Sequence, residues 1–364
     1  MVDMHPFYQI SRDQTESREN MTLRSSQRPK KKTEILIIGA IPPPFGGVTI
    51  HIARLSQHLR SQRIDISILD EGKFVKSGVA RLRAMSPVGY FRTLSSAQTV
   101  HIHSSNHVMR LIHTVCARLL GRRVVHTVHS ARGSRLELTS LYLASHLAHE
   151  RIGVSSEVTE RLAARSHVIP AFVPPSGDEE VIASDIETWM RDQKKQRRKI
   201  IAFNAYLPSK IDGVDLYGLD MLIDALSDER MVHYSAILCI SLTETADRYY
   251  DEIQHRVLSR DLGDRVRFQT GQVSFAGILK RADIFVRPTI TDGDAISIRE
   301  AIWYGVPAIA SDAVTRPEGS IIFRSRDIQA FVDAILTAPG SGSYERGRSF
   351  ADEVIRILVP TLTS

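Results

Sequence analysis

From residue 35 onward, short unbroken apolar runs alternate with stretches whose apolar residues recur at helical spacing. Residues 35–39, 64–69, 100–104, 124–129, 151–154 and 167–170 read as strands. The run 35–39, without polar alternation, is what a parallel sheet covered on both faces requires. Residues 48–59 and 108–120 carry the helical period between them, and a further helix is expected from Glu157. The rhythm then repeats. Residues 199–206, 235–241, 266–271, 283–286 and 321–323 read as strands, and residues 218–226, 245–258, 273–280, 327–336 and 345–358 as helices. Alternation of this kind through both halves predicts an α/β protein of two doubly wound, Rossmann-like domains with a cleft between their C-terminal strand edges. The expected division is a disordered basic tail over 1–33, a first domain over 34–177, a charged linker over 178–198 and a second domain over 199–342. A C-terminal helix over 343–364 would pack back on the first domain.

Composition narrows this picture without choosing a partner. The chain has 364 residues, enough for two cores, and a formal net charge of +6, which permits an anionic partner. Cys116 and Cys239 lie far apart and make no disulfide framework or zinc spacing, which fits a reducing cytoplasm. No apolar signal core and no apolar run of about 20 residues is present, so a soluble or peripheral protein is expected. Residues 18–32 hold six basic residues against Glu19, either a solvated tail or an attraction to anionic lipid. The stretch 71–99 interleaves Lys73, Lys76, Arg81, Arg83 and Arg92 with Phe74, Tyr90 and Phe91. It suits a membrane-surface helix or an acceptor loop, the alternative being a solvated helix.

Candidate chemistry concentrates after the strand at 283–286. A loop carries Asp292, Gly293 and Asp294, and a helix opens near Ala295. The free N–H groups of such a helix start, over Gly293, Asp294, Ala295, Ile296 and Ser297, would stabilise an anion such as a diphosphate. Glu300, about a turn into the helix, would reach a group attached to that anion. The plainer alternative has Asp294 as N-cap, Asp292 solvated and Glu300 exposed. Asp292 and Asp294 have Asp-x-Asp spacing, but a helix N-terminus favours anions, so no metal is expected there. Gly46 and Gly47 let backbone approach a ligand at another helix start; the alternative is a proline-stiffened turn. His101 and His103 share one face of their strand. A metal site would need a third ligand, and the sequence declares none.

Asp292, seven residues, Glu300 and the following Ala301 to Gly305-Val306-Pro307 resemble the donor-binding segment of retaining GT-B glycosyltransferases of family 4, whose pattern is Glu, seven residues, Glu, then Ala and Gly-x-Pro. The resemblance extends over most of the chain from about Ile35; Asp292 departs from it by one methylene. It implies a GT-B fold in which Asp292 (or Asp294) holds the transferred sugar and Glu300 the ribose. It also implies that His129, at its strand end, points at donor sugar and phosphate, and that the Gly46–Gly47 loop faces the cleft. Where the family carries an Arg and a Lys for the diphosphate, this chain has Asn204 near the first position, and Lys210 or Arg299 are the candidate cations. The implied activity is retaining, metal-independent transfer of a hexosyl group from a nucleotide-diphosphate sugar to a glycan or lipid-linked acceptor, in surface polysaccharide biosynthesis. No cofactor and no nucleic acid are expected, and the implied place is the cytoplasm or the inner face of the membrane. The competing readings are a nucleotide-sugar epimerase of the same fold and a non-catalytic binding homologue.

Overall fold

The computed structural model describes residues 33–43, 46–76, 78–241, 248–271, 273–292, 295–340 and 344–359. The tail expected over 1–33 lies outside them except for Thr33, and so do Gly293 and Asp294.

The first lobe is a seven-stranded parallel sheet. Its strands are β1 (Thr33–Gly39), β2 (Ile66–Asp70), β3 (Ala80–Arg81), β4 (Ala97–Ile102), β5 (Arg123–Val128), β6 (Glu150–Gly153) and β7 (His167–Val168), in the order β3-β2-β1-β4-β5-β6-β7. The connecting helices are α1 (Gly47–Ser61), α2 (Pro87–Ser96), α3 (His107–Leu119), α4 (Arg135–Leu147) and the single turn α5 (Ser156–Thr159). Ile35 and Ile37 point into one core and Leu36 and Ile38 into the other, which is why β1 is apolar without alternation.

The second lobe opens with α6 (Ser184–Lys195), β8 (Lys199–Ala205), β9 (Lys210–Ile211), β10 (Val214–Asp215) and α7 (Leu219–Leu226). It continues through β11 (Tyr234–Ile240), α8 (Arg248–Ser259), β12 (Val266–Thr270), α9 (Phe275–Leu279) and β13 (Ile284–Arg287). After these come α10 (Ile296–Trp303), β14 (Ala308–Ser311), β15 (Ile321–Phe323) and α11 (Ile328–Thr337). Its six-stranded parallel sheet has the order β12-β11-β8-β13-β14-β15. In each sheet the winding direction reverses at one seam, between β1 and β4 and between β8 and β13, where doubly wound folds place their ligands.

Several elements differ from the sequence pattern. The charged stretch after 178 contains α6, whose Ile186 and Met190 stand one turn apart and bury against Ile200, Ile278 and Phe285, so it belongs to the second core. The expected loop 207–217 holds the antiparallel ribbon β9–β10, turned by Asp212 and Gly213, both at positive φ. The last helix, α12 (Ala351–Leu358), starts later than its apolar pattern suggests. Val354, Ile355 and Leu358 sit in the core with Ile35, Leu55 and Val125, so this helix packs against the first sheet. Among the described residues no helix is long and apolar enough to cross a membrane.

Candidate active site

Helix α10 begins after Ala295, and its first turn meets the first lobe: a Cβ built on Gly47 would lie 3.7 Å from Ile296 Cδ1. Ser297 and Glu300 are buried, as is Ala295. Glu300, only 5% exposed, places Oε1 2.6 Å from Arg54 Nη2 on α1. Arg54 also donates from Nε to Glu179 Oε2 at 2.9 Å and from Nη1 to the Val173 carbonyl. Burial raises the Glu300 carboxyl above its ordinary pKa, Arg54 pulls it back and Glu179 adds to the rise. Burial also disfavours charge on Arg54, but the two glutamates hold it above its usual value. The exposed-helix alternative for Glu300 is thereby excluded. Nothing in the local sequence marks Arg54, which lies mid-helix in the other lobe.

Asp292 is likewise held by arginine. Arg287, the last residue of β13, donates to it from Nε at 2.8 Å and from Nη2 at 3.1 Å. Arg316 adds a bond from Nη1 at 3.0 Å and reaches Thr289 Oγ1 and Ser311 Oγ, both at 2.9 Å. Burial works against the Asp292 charge, yet the two guanidinium groups keep its carboxyl below the usual range. This is not the solvated aspartate of the plain alternative. Arg287 also donates to the Asn204 carbonyl at 3.0 Å and Oδ1 at 3.3 Å, and its guanidinium lies 5.5 Å from the Tyr217 ring centroid. Asn204 is the last residue but one of β8, so this pair occupies the seam of the second sheet.

The structure therefore supplies, beside Asn204, cations that the sequence reading passed over. Lys210 stands apart on the β9–β10 ribbon, 3.0 Å from Glu252 and over the Tyr249 ring at 4.1 Å. Arg299 lies over the Phe350 ring at 5.8 Å. The available signal was Arg287 itself, a charged residue closing an apolar strand at the edge where such sheets bind ligands.

At the seam of the first sheet the strand ends gather histidines. His103 follows β4 and His129 follows β5, with His103 Nδ1 3.2 Å from His129 Nε2. His103 Nε2 lies 3.2 Å from His101 Nδ1, and His101 Nε2 2.8 Å from Thr127 Oγ1. Helix α1 brings in His51, whose ring centroid is 5.6 Å from that of His103 and 5.3 Å from that of His129. This is the third histidine that strand periodicity could not reveal. Gly46, exposed, and Gly47 open α1 above it.

Two parallel-sheet α/β lobes arranged in this way define a GT-B-like fold. Residues 209–338 match the family described as "Glycosyl transferases group 1". Among solved structures the chain is similar to HepE from Anabaena, in complex with UDP and glucose, at 15% identity and a TM-score of 0.60 over 91% of this chain and 99% of that one. A glycosyltransferase from Rickettsia africae gives a TM-score of 0.66 at 11% identity over 91% and 99%. The catalytic domain of starch synthase IV from Arabidopsis thaliana, bound to ADP and acarbose, gives 0.57 at 14% over 91% and 100%. No curated protein sequence matches the chain.

Proposed function

We propose that this chain is a glycosyltransferase moving a hexosyl group, with retention, from a nucleotide-diphosphate sugar to a glycan or lipid-linked acceptor, in surface polysaccharide biosynthesis at the cytoplasmic face of a membrane. The observation carrying this is the meeting of Gly47 with the first turn of α10, with Arg287 and Arg316 grouped at the neighbouring sheet edge. In the reaction the bond from the anomeric carbon to diphosphate breaks as the acceptor oxygen bonds to that carbon on the same face. The acceptor proton leaves with the diphosphate. Negative charge grows on the diphosphate, and the α10 N-terminus with Arg287 and Arg316 would stabilise it. These groups take the place given above to Lys210 or Arg299. His129 would face the sugar and phosphate, Asp292 would orient the sugar from its arginine cradle, and Glu300 would take the ribose hydroxyls once Arg54 releases it.

Differential scanning fluorimetry across nucleoside diphosphates and sugar nucleotides tests the reading. A nucleotide that raises the melting temperature of the wild type, and raises that of Glu300→Gln far less, is expected. No shift with any nucleotide sinks the donor assignment, and an equal shift in both proteins sinks the ribose role. A second reading, a binding protein without turnover, is favoured by one observation: both acidic residues of the motif are already engaged by arginine. Donor affinity without transfer or hydrolysis would select it.

A further inference from the structure

We propose that His51, His103 and His129 form a binding site for one divalent transition-metal ion of the zinc class, at the seam of the first sheet. The proposal competes with the sugar-donor reading for His129, whose nitrogen is turned to the ion, and it sets aside the expectation of a metal-free chain. The ligand nitrogens all lie within 4.8 Å of one another, and the closest pair, His103 Nδ1 and His129 Nε2, is 3.2 Å apart. A tetrahedral ion with Zn–N bonds of about 2.0–2.1 Å spaces its nitrogens by about 3.3 Å. The three ring centroids are separated by 5.6, 5.3 and 5.5 Å, a nearly equilateral triangle, as three imidazoles around one centre would be.

The decisive residue is His51. It is 2% exposed, and neither Nδ1 nor Nε2 has a hydrogen-bond partner. The Ala171 backbone lies near the ring without completing hydrogen-bond geometry. A chain of hydrogen bonds running His129–His103–His101–Thr127 explains the other imidazoles as an ordinary buried polar network. It leaves His51 unexplained, because a buried ring with both nitrogens unpaired is disfavoured. A metal ion at the centre of the triangle supplies a partner for one of the two nitrogens.

The surroundings fit a ligand set. His51 and His103 are buried and His129 partly so, and the neutral imidazole is the form that binds metal. His101 and Thr127 stand behind His103 in the manner of an outer shell that fixes ring orientation. Two cations face the cluster, and each is engaged elsewhere: Arg54 by Glu179 and Glu300, Arg110 by the carbonyls of Ile102, Ser104 and Thr127. With no carboxylate among the three ligands, a bound dication keeps its full charge. The fourth position then suits hydroxide or an anionic oxygen. His129 is the partly exposed member of the three, so that position opens on its side. Imidazole ligands without thiolate favour zinc, cobalt, nickel or copper over magnesium or calcium.

The test uses the full-length protein, stripped with chelator and titrated with Co2+. Visible absorption of tetrahedral intensity, saturating at one equivalent and bleached by Zn2+, is the expected result. Zn2+ should also raise the melting temperature. His51→Phe and His103→Phe should each lower the absorption at least tenfold while far-ultraviolet dichroism stays that of the wild type. If a phenylalanine variant does not fold, His129→Gln, at the partly exposed position, must show the same loss. Saturation below a tenth of an equivalent in the wild type, or undiminished Co2+ absorption in a folded variant, overturns the proposal.

Discussion

Replacing Arg54 by methionine isolates the contact between the lobes. The side chains of Arg54 and Glu300 are each 6% exposed, so the substitution strands a carboxylate that water cannot reach. Glu179, with its side chain 35% exposed, loses the same partner but can turn to solvent, so the penalty belongs mainly to Glu300. Removing one member of such a buried pair destabilises by about 3–5 kcal/mol. At roughly 2 °C per kcal/mol for a chain of this size, the melting temperature should fall by about 6–10 °C at pH 8. The sign of the pH dependence follows from Glu300. Its folded pKa is already raised, and Arg54 is an influence pulling it down, so the variant raises it further. A carboxyl with raised folded pKa favours the folded state when protonated, and that advantage disappears as pH rises through the folded value. The deficit of Arg54→Met should therefore shrink by more than half between pH 8 and pH 5. Adding Glu300→Met should restore most of the loss at pH 8, since replacing both members leaves no stranded charge. Scanning fluorimetry at the two pH values reads all of this. A deficit that is the same at both, or a double variant as unstable as Arg54→Met, refutes the reasoning.

Asp292→Asn removes the charge shared by Arg287 and Arg316, the latter with its side chain 2% exposed, and should destabilise by about 3 kcal/mol. Because the folded pKa of Asp292 is depressed, its contribution is present above the unfolded value near 3.9 and fades as pH falls through the folded one; urea midpoints from pH 7 to pH 3 should show wild type and variant converging only at the acid end. Arg287→Gln should weaken the tightest-binding nucleoside diphosphate at least tenfold by isothermal titration calorimetry, whereas Lys210→Gln should leave it within about twofold, as a charge paired on an exposed ribbon would. Gly47→Ala leaves room for its methyl against Ile296 and should keep donor affinity. Gly47→Phe should wedge the lobes apart, reducing affinity about tenfold with little change in melting temperature, because Gly47 itself is exposed.

What the sequence disclosed was whatever rests on local periodicity. The run Ile35 to Ile38 announces a strand covered on both faces, and the loop before Ala295 announces a helix start. Glu300 stood out for the same reason. Its buried ion-pair partner did not, because Arg54 sits in α1 among ordinary helix residues, far from Glu300 along the chain. Arg287 and Arg316 converge on Asp292 through the pairing of β8 with β13 and the turn after β14, and sequence spacing carries no record of either. The ribbon β9–β10 escaped notice because strands of two residues have no period to detect; its turn rests on Asp212 and Gly213.

Helix α1 ties these observations together. Ile52, Leu55 and Leu59 bury into the first core, which accounts for the apolar stripe. Gly47, His51 and Arg54 follow one another at i, i+4 and i+7, the spacing of a second continuous face. Along that face lie, in turn, the contact with Ile296, the histidine triangle and the ion pair with Glu300. Packing alone does not ask for an imidazole and a guanidinium there, since apolar side chains would fill the space without desolvating polar groups. The chemistry of this face is therefore placed toward the opposite lobe and the sheet seam. Arg54 stands one turn from His51, so the ion pair with Glu300 and the histidine triangle are both carried by a single helix.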